Sequence, residues 1–171
     1  RFHLWPFRTP LLTLSFAAID WLMSLQPHWY STIFGVYYFA GSILALYSFV
    51  TLATMALQKA GMLKHSVTAE HFQDLGKFVF GHTIFWAYIA VSQLIIIWYA
   101  NIPEETVYFQ PRAHGVYKGI FWLMFIINFI APLLILMTRD AKRNYGTITF
   151  MSIMIIFGHW LDFYQMVFPS V

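Results

Sequence analysis

Apolar residues in this chain come in long, nearly unbroken runs. Five of them approach or exceed the roughly 20 residues that a helix needs to cross a bilayer. They cover approximately residues 5–25, 30–57, 78–99, 116–137 and 145–168. A spanning β-barrel would instead alternate apolar and polar positions with period two, and no such alternation is visible. The pattern predicts an all-α polytopic membrane protein with about five transmembrane helices, all in one region over residues 1–171.

The polar breaks set the order of the helices. Gln26-Pro27-His28-Trp29 is a turn too short for anything but antiparallel neighbours, and Pro27 disfavours helix at Gln26. Lys59 to Lys77 is polar, with Ser66 or Thr68 placed to open a short surface helix over about 69–77 that runs into the third span. Asn101-Ile102-Pro103-Glu104-Glu105 stops that span, and Thr138–Asn144 reads as a short basic loop. Pro132 predicts a kink in the fourth span, while Gly35 and Gly41 predict close approach of a neighbour to the second.

Composition agrees: the 171 residues are 60% hydrophobic and only 10% charged, against about 25% charged in a soluble domain. The net charge of +3 matters less than its placement. Arg1, Arg8, Lys59, Lys64, Lys77, Arg139, Lys142 and Arg143 fall on one side of the predicted helices, and only Arg112 and Lys118 on the other. The positive-inside rule then makes 59–77 and 138–144 cytoplasmic, with 26–29 and 101–115 outside, periplasmic in a bacterial inner membrane. No basic stripe suggests nucleic acid. Without cysteine, the chain cannot hold thiolate-bound iron–sulfur clusters or attach c-type haem. It opens Arg1-Phe2-His3 and closes directly after an apolar run, so a piece of a longer subunit is expected.

Ionisable groups inside apolar helices are costly and point to function by default. Counting along the helices puts Asp20 about 7 Å, Asp162 about 9 Å and Gln93 about 10 Å inside the outer ends, with His159 one turn deeper. These four are expected to share one layer. His159 and Asp162 stand at i and i+3 on one face, suited either to passing a proton or to a fixed hydrogen-bonded pair. His82, Trp86, Ile89 and Gln93 form a stripe along the third span, with Tyr88 nearby, that reads as a proton inlet or as interhelical hydrogen bonding. Asn128 reads as a helix-to-helix bond, and His28 as an interfacial group beside Trp29 and Tyr30. The proposed proton path is thus Asp20, His28, His82, Tyr88, Gln93, His159 and Asp162, with no catalytic residue assigned. Haem ligation is not expected, because His82 and His159 differ in depth by about 15 Å. No spacing on one face suits a metal.

Several stretches are similar to a known family. Phe16-Ala17-Ala18-Ile19-Asp20-Trp21-Leu22-Met23-Ser24-Leu25-Gln26-Pro27-His28-Trp29-Tyr30-Ser31-Thr32-Ile33-Phe34-Gly35 resembles a signature of alternative complex III, a quinol:cytochrome c oxidoreductase. So do Glu70-His71-Phe72-Gln73-Asp74-Leu75-Gly76-Lys77, Phe85-Trp86-Ala87-Tyr88-Ile89-Ala90 and Trp98-Tyr99-Ala100-Asn101-Ile102-Pro103-Glu104-Glu105. The likeness is to its F-type membrane subunit, quinone-binding subunit 2, within the polysulfide-reductase membrane-subunit superfamily. The resemblance implies the C-terminal half of a ten-helix subunit, a four-helix bundle plus a last helix. It implies a complex that oxidises menaquinol or ubiquinol, with the quinol site in a sibling ten-helix subunit. Iron–sulfur and c-type cytochrome subunits would lie in the periplasm, passing electrons to cytochrome c or a terminal oxidase. This chain would itself hold no cofactor covalently or through metal ligands, with quinol the substrate of the complex. The alternative reading is a structural membrane anchor that docks those subunits through Asn101–Gly115. A secondary transporter fits less well, because neither inverted repeats nor broken midplane helices are visible.

Overall fold

The computed structural model describes residues 5–63 and 66–168. Arg1, Lys64 and His65 of the polar and charged positions above lie outside the described residues. The described chain is helical, without a strand. Helix α1 (Trp5–Ala17) continues through a π-helical turn at Ala18–Leu22 and a 3₁₀ turn at Met23–Leu25. Then follow α2 (Phe34–Lys59), α3 (Ala69–Ala100), the single turns α4 (Pro103–Thr106) and α5 (Gln110–Ala113), and α6 (Tyr117–Phe125). A second π-helical segment, Ile126–Ile130, joins α6 to α7 (Ala131–Ile135); α8 (Arg139–Arg143) and α9 (Tyr145–Val167) complete the order.

Among the described residues, four helices are long and apolar enough to cross a membrane: α2, α3, the combined Tyr117–Ile135 helix and α9. These four pack together, α2 against α3 and α9, and α9 against the Tyr117–Ile135 helix. The protein is a polytopic helical membrane protein. The first predicted span is shorter, an apolar helix over Thr9–Leu25, and it flanks the bundle by packing on α2. Gly35 makes that contact possible, since a Cβ there would lie 2.8 Å from Cβ of Ser15. Helix α9, the last of the order, packs on α2 and on the Tyr117–Ile135 helix.

Local chemistry explains the boundaries. Thr68 caps α3 in a capping box, but the group that reaches back is His71: the Thr68 N–H donates to its Nδ1 at 3.2 Å. The expected surface helix and third span are therefore one helix of 32 residues, ended by Asn101 in the left-handed region at φ 48°. Pro132 has no N–H to give the carbonyl four residues back, and the helix widens just ahead of it into the Ile126–Ile130 π segment. Thr138 caps α8, accepting from the Ala141 N–H, so the expected basic loop holds a turn of helix. Asn144 caps α9 through the N–H groups of Gly146 and Thr147.

The bundle has two chemically different ends. At one, Lys59, Lys77, Arg139, Lys142 and Arg143 gather. There Arg143 pairs with Glu70 at 2.5 Å, and Lys142 lies over the Phe80 ring with its ammonium donating to the Met137 carbonyl. At the other, the 26–29 turn meets the 101–115 connection: Trp29 Nε1 donates to the Glu105 carbonyl at 3.1 Å. Trp29 also stacks on Tyr108 with ring centres 4.0 Å apart. The first is the basic end of the bundle and the second its Arg112 end.

Candidate functional site

Asp162 stands about three-quarters of the way along α9, 4% exposed. Its closest partner is on α2: the Tyr37 hydroxyl donates to Oδ1 at 2.5 Å. On its own helix, His159 Nδ1 lies 3.8 Å from Oδ2. That is beyond a direct hydrogen bond and suited to a bridging water or a small ring rotation. The i, i+3 spacing did place the imidazole beside the carboxylate, yet the direct bond to the acid comes from a residue that sequence reasoning missed. The signal was available, since Tyr37 is one helical turn from Gly41, already marked as a close-approach point.

Gly41 is what admits the imidazole. A Cβ at position 41 would lie 3.3 Å from His159 Cε1 and 3.5 Å from Trp86 Cδ1. The Trp86 and His159 rings meet edge to face at 5.8 Å. Both are almost fully buried, and neither His159 Nε2 nor Trp86 Nε1 has a protein partner. A cavity of about 60 Å³ adjoins this group, room for a few water molecules. Tyr37, Trp86, Gln93, Arg112, Asp162 and Gln165 supply its polar lining, and aromatic rings of Phe34, Tyr108, Phe121 and Phe125 much of the rest. Two unpartnered buried atoms belong to lining residues, the Trp86 Nε1 donor and the Gln165 Oε1 acceptor.

Arg112 closes the cavity at its end of the bundle. It is 2% exposed, and its guanidinium lies 3.5 Å over the Tyr108 ring. Nε donates to the Gln165 carbonyl at 2.8 Å, Nη2 to the Met166 carbonyl at 3.1 Å and Nη1 to the Tyr108 carbonyl at 2.5 Å. A cation thus sits on the last-turn carbonyls of α9, where the helix dipole is negative. Burial lowers the Arg112 pKa from its usual value, against the opposing pull of Tyr108 and Tyr37. Burial pushes the Tyr108 phenol up to about 12, although the Arg112 charge pulls it down. Arg112 was visible in the sequence only as one of two cations on the cation-poor side.

The proposed path divides sharply. Gln93, His159 and Asp162 are buried in the bundle, with Gln93 and Asp162 on the same cavity. Asp20 is not with them. The π turn places it on an exposed outer groove with Met23, Ser24, Gln26, Trp29 and Tyr30, and that groove shares no lining residue with the Asp162 cavity. His28 is exposed in the turn, and Tyr88 is 68% exposed on the outward side of α3. Asp20 therefore does not face the interior space that Gln93 and Asp162 share. His82 is half-buried, its Nδ1 within 2.9 Å of the Phe78 carbonyl on its own helix and its ring against Tyr47. The stripe from His82 to Gln93 is real in its buried members Trp86, Ile89 and Gln93, but His82 is engaged locally. Asn128 is fully buried, yet neither its amide nitrogen nor its oxygen has a side-chain or backbone partner, so the expected helix-to-helix bond is absent. It packs against Gly158 of α9 instead. No group of three or more His, Asp or Glu side chains among the described residues could hold a metal ion.

No protein-family model matches this sequence, and no curated protein matches it either.

Proposed function

We propose that this chain is a membrane subunit of a respiratory quinol-oxidising complex of the alternative complex III kind, and that its own contribution is a proton relay centred on Asp162. The complex membership rests on the motif resemblance over residues 16–35, 70–77, 85–90 and 98–105. The relay rests on one observation: a buried carboxylate inside a membrane bundle, bonded to Tyr37, flanked by His159 and facing a cavity large enough for water. The Tyr37 O–H stabilises the ionised acid. When Asp162 takes a proton, that hydroxyl can turn and accept from it, and His159 lies one water away for the next transfer.

In this reading the subunit lies in a bacterial inner membrane with its basic end in the cytoplasm, as the positive-inside rule directs. Quinol is oxidised in a sibling ten-helix subunit. Electrons leave through iron–sulfur and c-type cytochrome subunits docked at the periplasmic Arg112 end, toward cytochrome c or a terminal oxidase. A purely structural anchor is the second reading. It is favoured by the large exposed side chains at that end, Trp98, Tyr99, Ile102, Val107 and Val116, which suit a docking rim.

Affinity purification of the tagged full-length subunit from its native membrane tests membership: haem-c absorbance and iron should co-purify with quinol oxidation. An isolated subunit without redox partners would refute it. Asp162→Asn in the purified assembly, returned to vesicles, separates the two readings. The relay requires reduced proton release with assembly and electron transfer retained, and the anchor requires unchanged release.

A further inference from the structure

Beside the Arg112 closure, the Asp162 cavity has a second space as its neighbour. Gln93 lines it and also lines a separate outer groove of about 290 Å³ with Tyr30, Ser31, Thr32, Ile97 and Glu105. One hydrogen bond marks the boundary between the two spaces, from Gln93 Nε2 to Ser31 Oγ at 3.1 Å. Gln93 is buried, Ser31 half-buried, and both side chains carry donors and acceptors that can rearrange without moving a helix. On the far side of that bond stands Glu105, half-buried at the start of the 101–115 connection. Its position is fixed by the Trp29 Nε1 bond to its backbone carbonyl.

We infer that the Gln93–Ser31 bond is the partition through which the Asp162 cavity communicates with the Arg112 end, and that the Glu105 carboxylate receives the proton beyond it. Asp162 gives its proton to water in the cavity. The Gln93 amide and Ser31 hydroxyl carry the water chain across, and Glu105 takes up the proton and releases it to solvent. The route does not pass Asp20, whose groove meets the Glu105 groove at Tyr30 but shares no residue with the Asp162 cavity. The route rests on the relay reading of Asp162, and its test is separable from that reading.

These 171 residues hold no cysteine, so with any cysteine elsewhere in the full-length subunit replaced, single thiols can be placed here without background. Ser31→Cys, Gln93→Cys and Glu105→Cys are made in the full-length subunit in its native membrane, with Ser152→Cys, deep on α9, as the control. A small, charged, membrane-impermeant methanethiosulfonate is added from the Arg112 side. Modification at 31, 93 and 105 but not at 152 is the expected result; no modification at 31 and 93 overturns the partition. In vesicles, Gln93→Leu and Glu105→Gln should slow external proton release at least about tenfold, with Gln93→Glu recovering most of it. If Asp162→Asn abolishes release while Gln93→Leu leaves it unchanged, the relay stands and this exit falls. If Asp162→Asn itself changes nothing, the relay and the exit fall together.

Discussion

Asp162 is held in an apolar bundle by whatever donates to it, and that donor is the Tyr37 hydroxyl. A hydrogen bond to a charged group contributes about 1.5–3 kcal/mol. Tyr37→Phe keeps the ring packing against Phe34 and Trp86 and removes only the bond. It should lower the stability of the detergent-solubilised protein by about that amount, read as a shift in thermal unfolding. Asp162→Asn should cost less, because an amide oxygen still accepts from the phenol. A different single-residue effect belongs to Gly158. A Cβ there would overlap the Asn128 side-chain oxygen and lie 2.7 Å from Ile127 Cγ2. Gly158→Ala should therefore destabilise by about 1–3 kcal/mol through overpacking, whereas Gly81→Ala, with open space around it, should not. A scan in which the two glycines behaved alike would contradict the packing described.

At the scale of elements, the 101–115 connection is ordered by a few long-range contacts and by little helix of its own. Arg112 bonds the end of α9, and Trp29 bonds Glu105 and stacks on Tyr108. Arg112→Lys should not substitute, since one ammonium cannot span three carbonyls with a planar fork. The expected result is faster proteolysis within 101–115 at unchanged helix content. Tyr108 adds a pH dependence. Its phenol keeps its proton to about 12 in the folded chain, against 10.0 for an unperturbed tyrosine. Between those values the unfolded chain has released a proton that the folded chain retains, so stability is intact below pH 10 and falls as the pH rises toward 12. The total fall is about 2–3 kcal/mol at about 1.4 kcal/mol per unit. Unfolding of wild type and Tyr108→Phe across that window measures it, and the variant should lack this component of the slope.

For the whole molecule, the alternation of apolar runs and polar breaks was enough to order the helices and to sort the loops to two ends. The structure joins 26–29 to 101–115 through Trp29 and Glu105, and 59–77 to 138–144 through Glu70 and Arg143. Cysteines at Val116, 88% exposed, and at Met62, 75% exposed, should accordingly react with impermeant reagent from opposite faces of the membrane. The candidate site was less legible, for physical reasons. His159 and Asp162 share a helix, so their spacing is written in the sequence. The Tyr37 and Arg112 contacts join positions 125 and 53 residues apart, set by how α2 and the connection pack on α9. Asp20 was not legible as a groove residue because its direction depends on the Ala18–Leu22 turn, which is π-helical and not a regular α turn. Depth along an axis also says nothing about which way a side chain faces.

That turn has a consequence for how the chain tolerates change. A π turn carries about one residue more than the α turn it replaces. Losing one residue within Ala18–Leu22 would let the backbone relax to ordinary α geometry while Trp5–Ala17 and the corner at 26–29 kept their present neighbours. The same loss inside α2 would swing everything beyond it by about 100° and scramble the faces that meet α3 and α9. Length can vary at the first site without re-threading the bundle, and at the second it cannot.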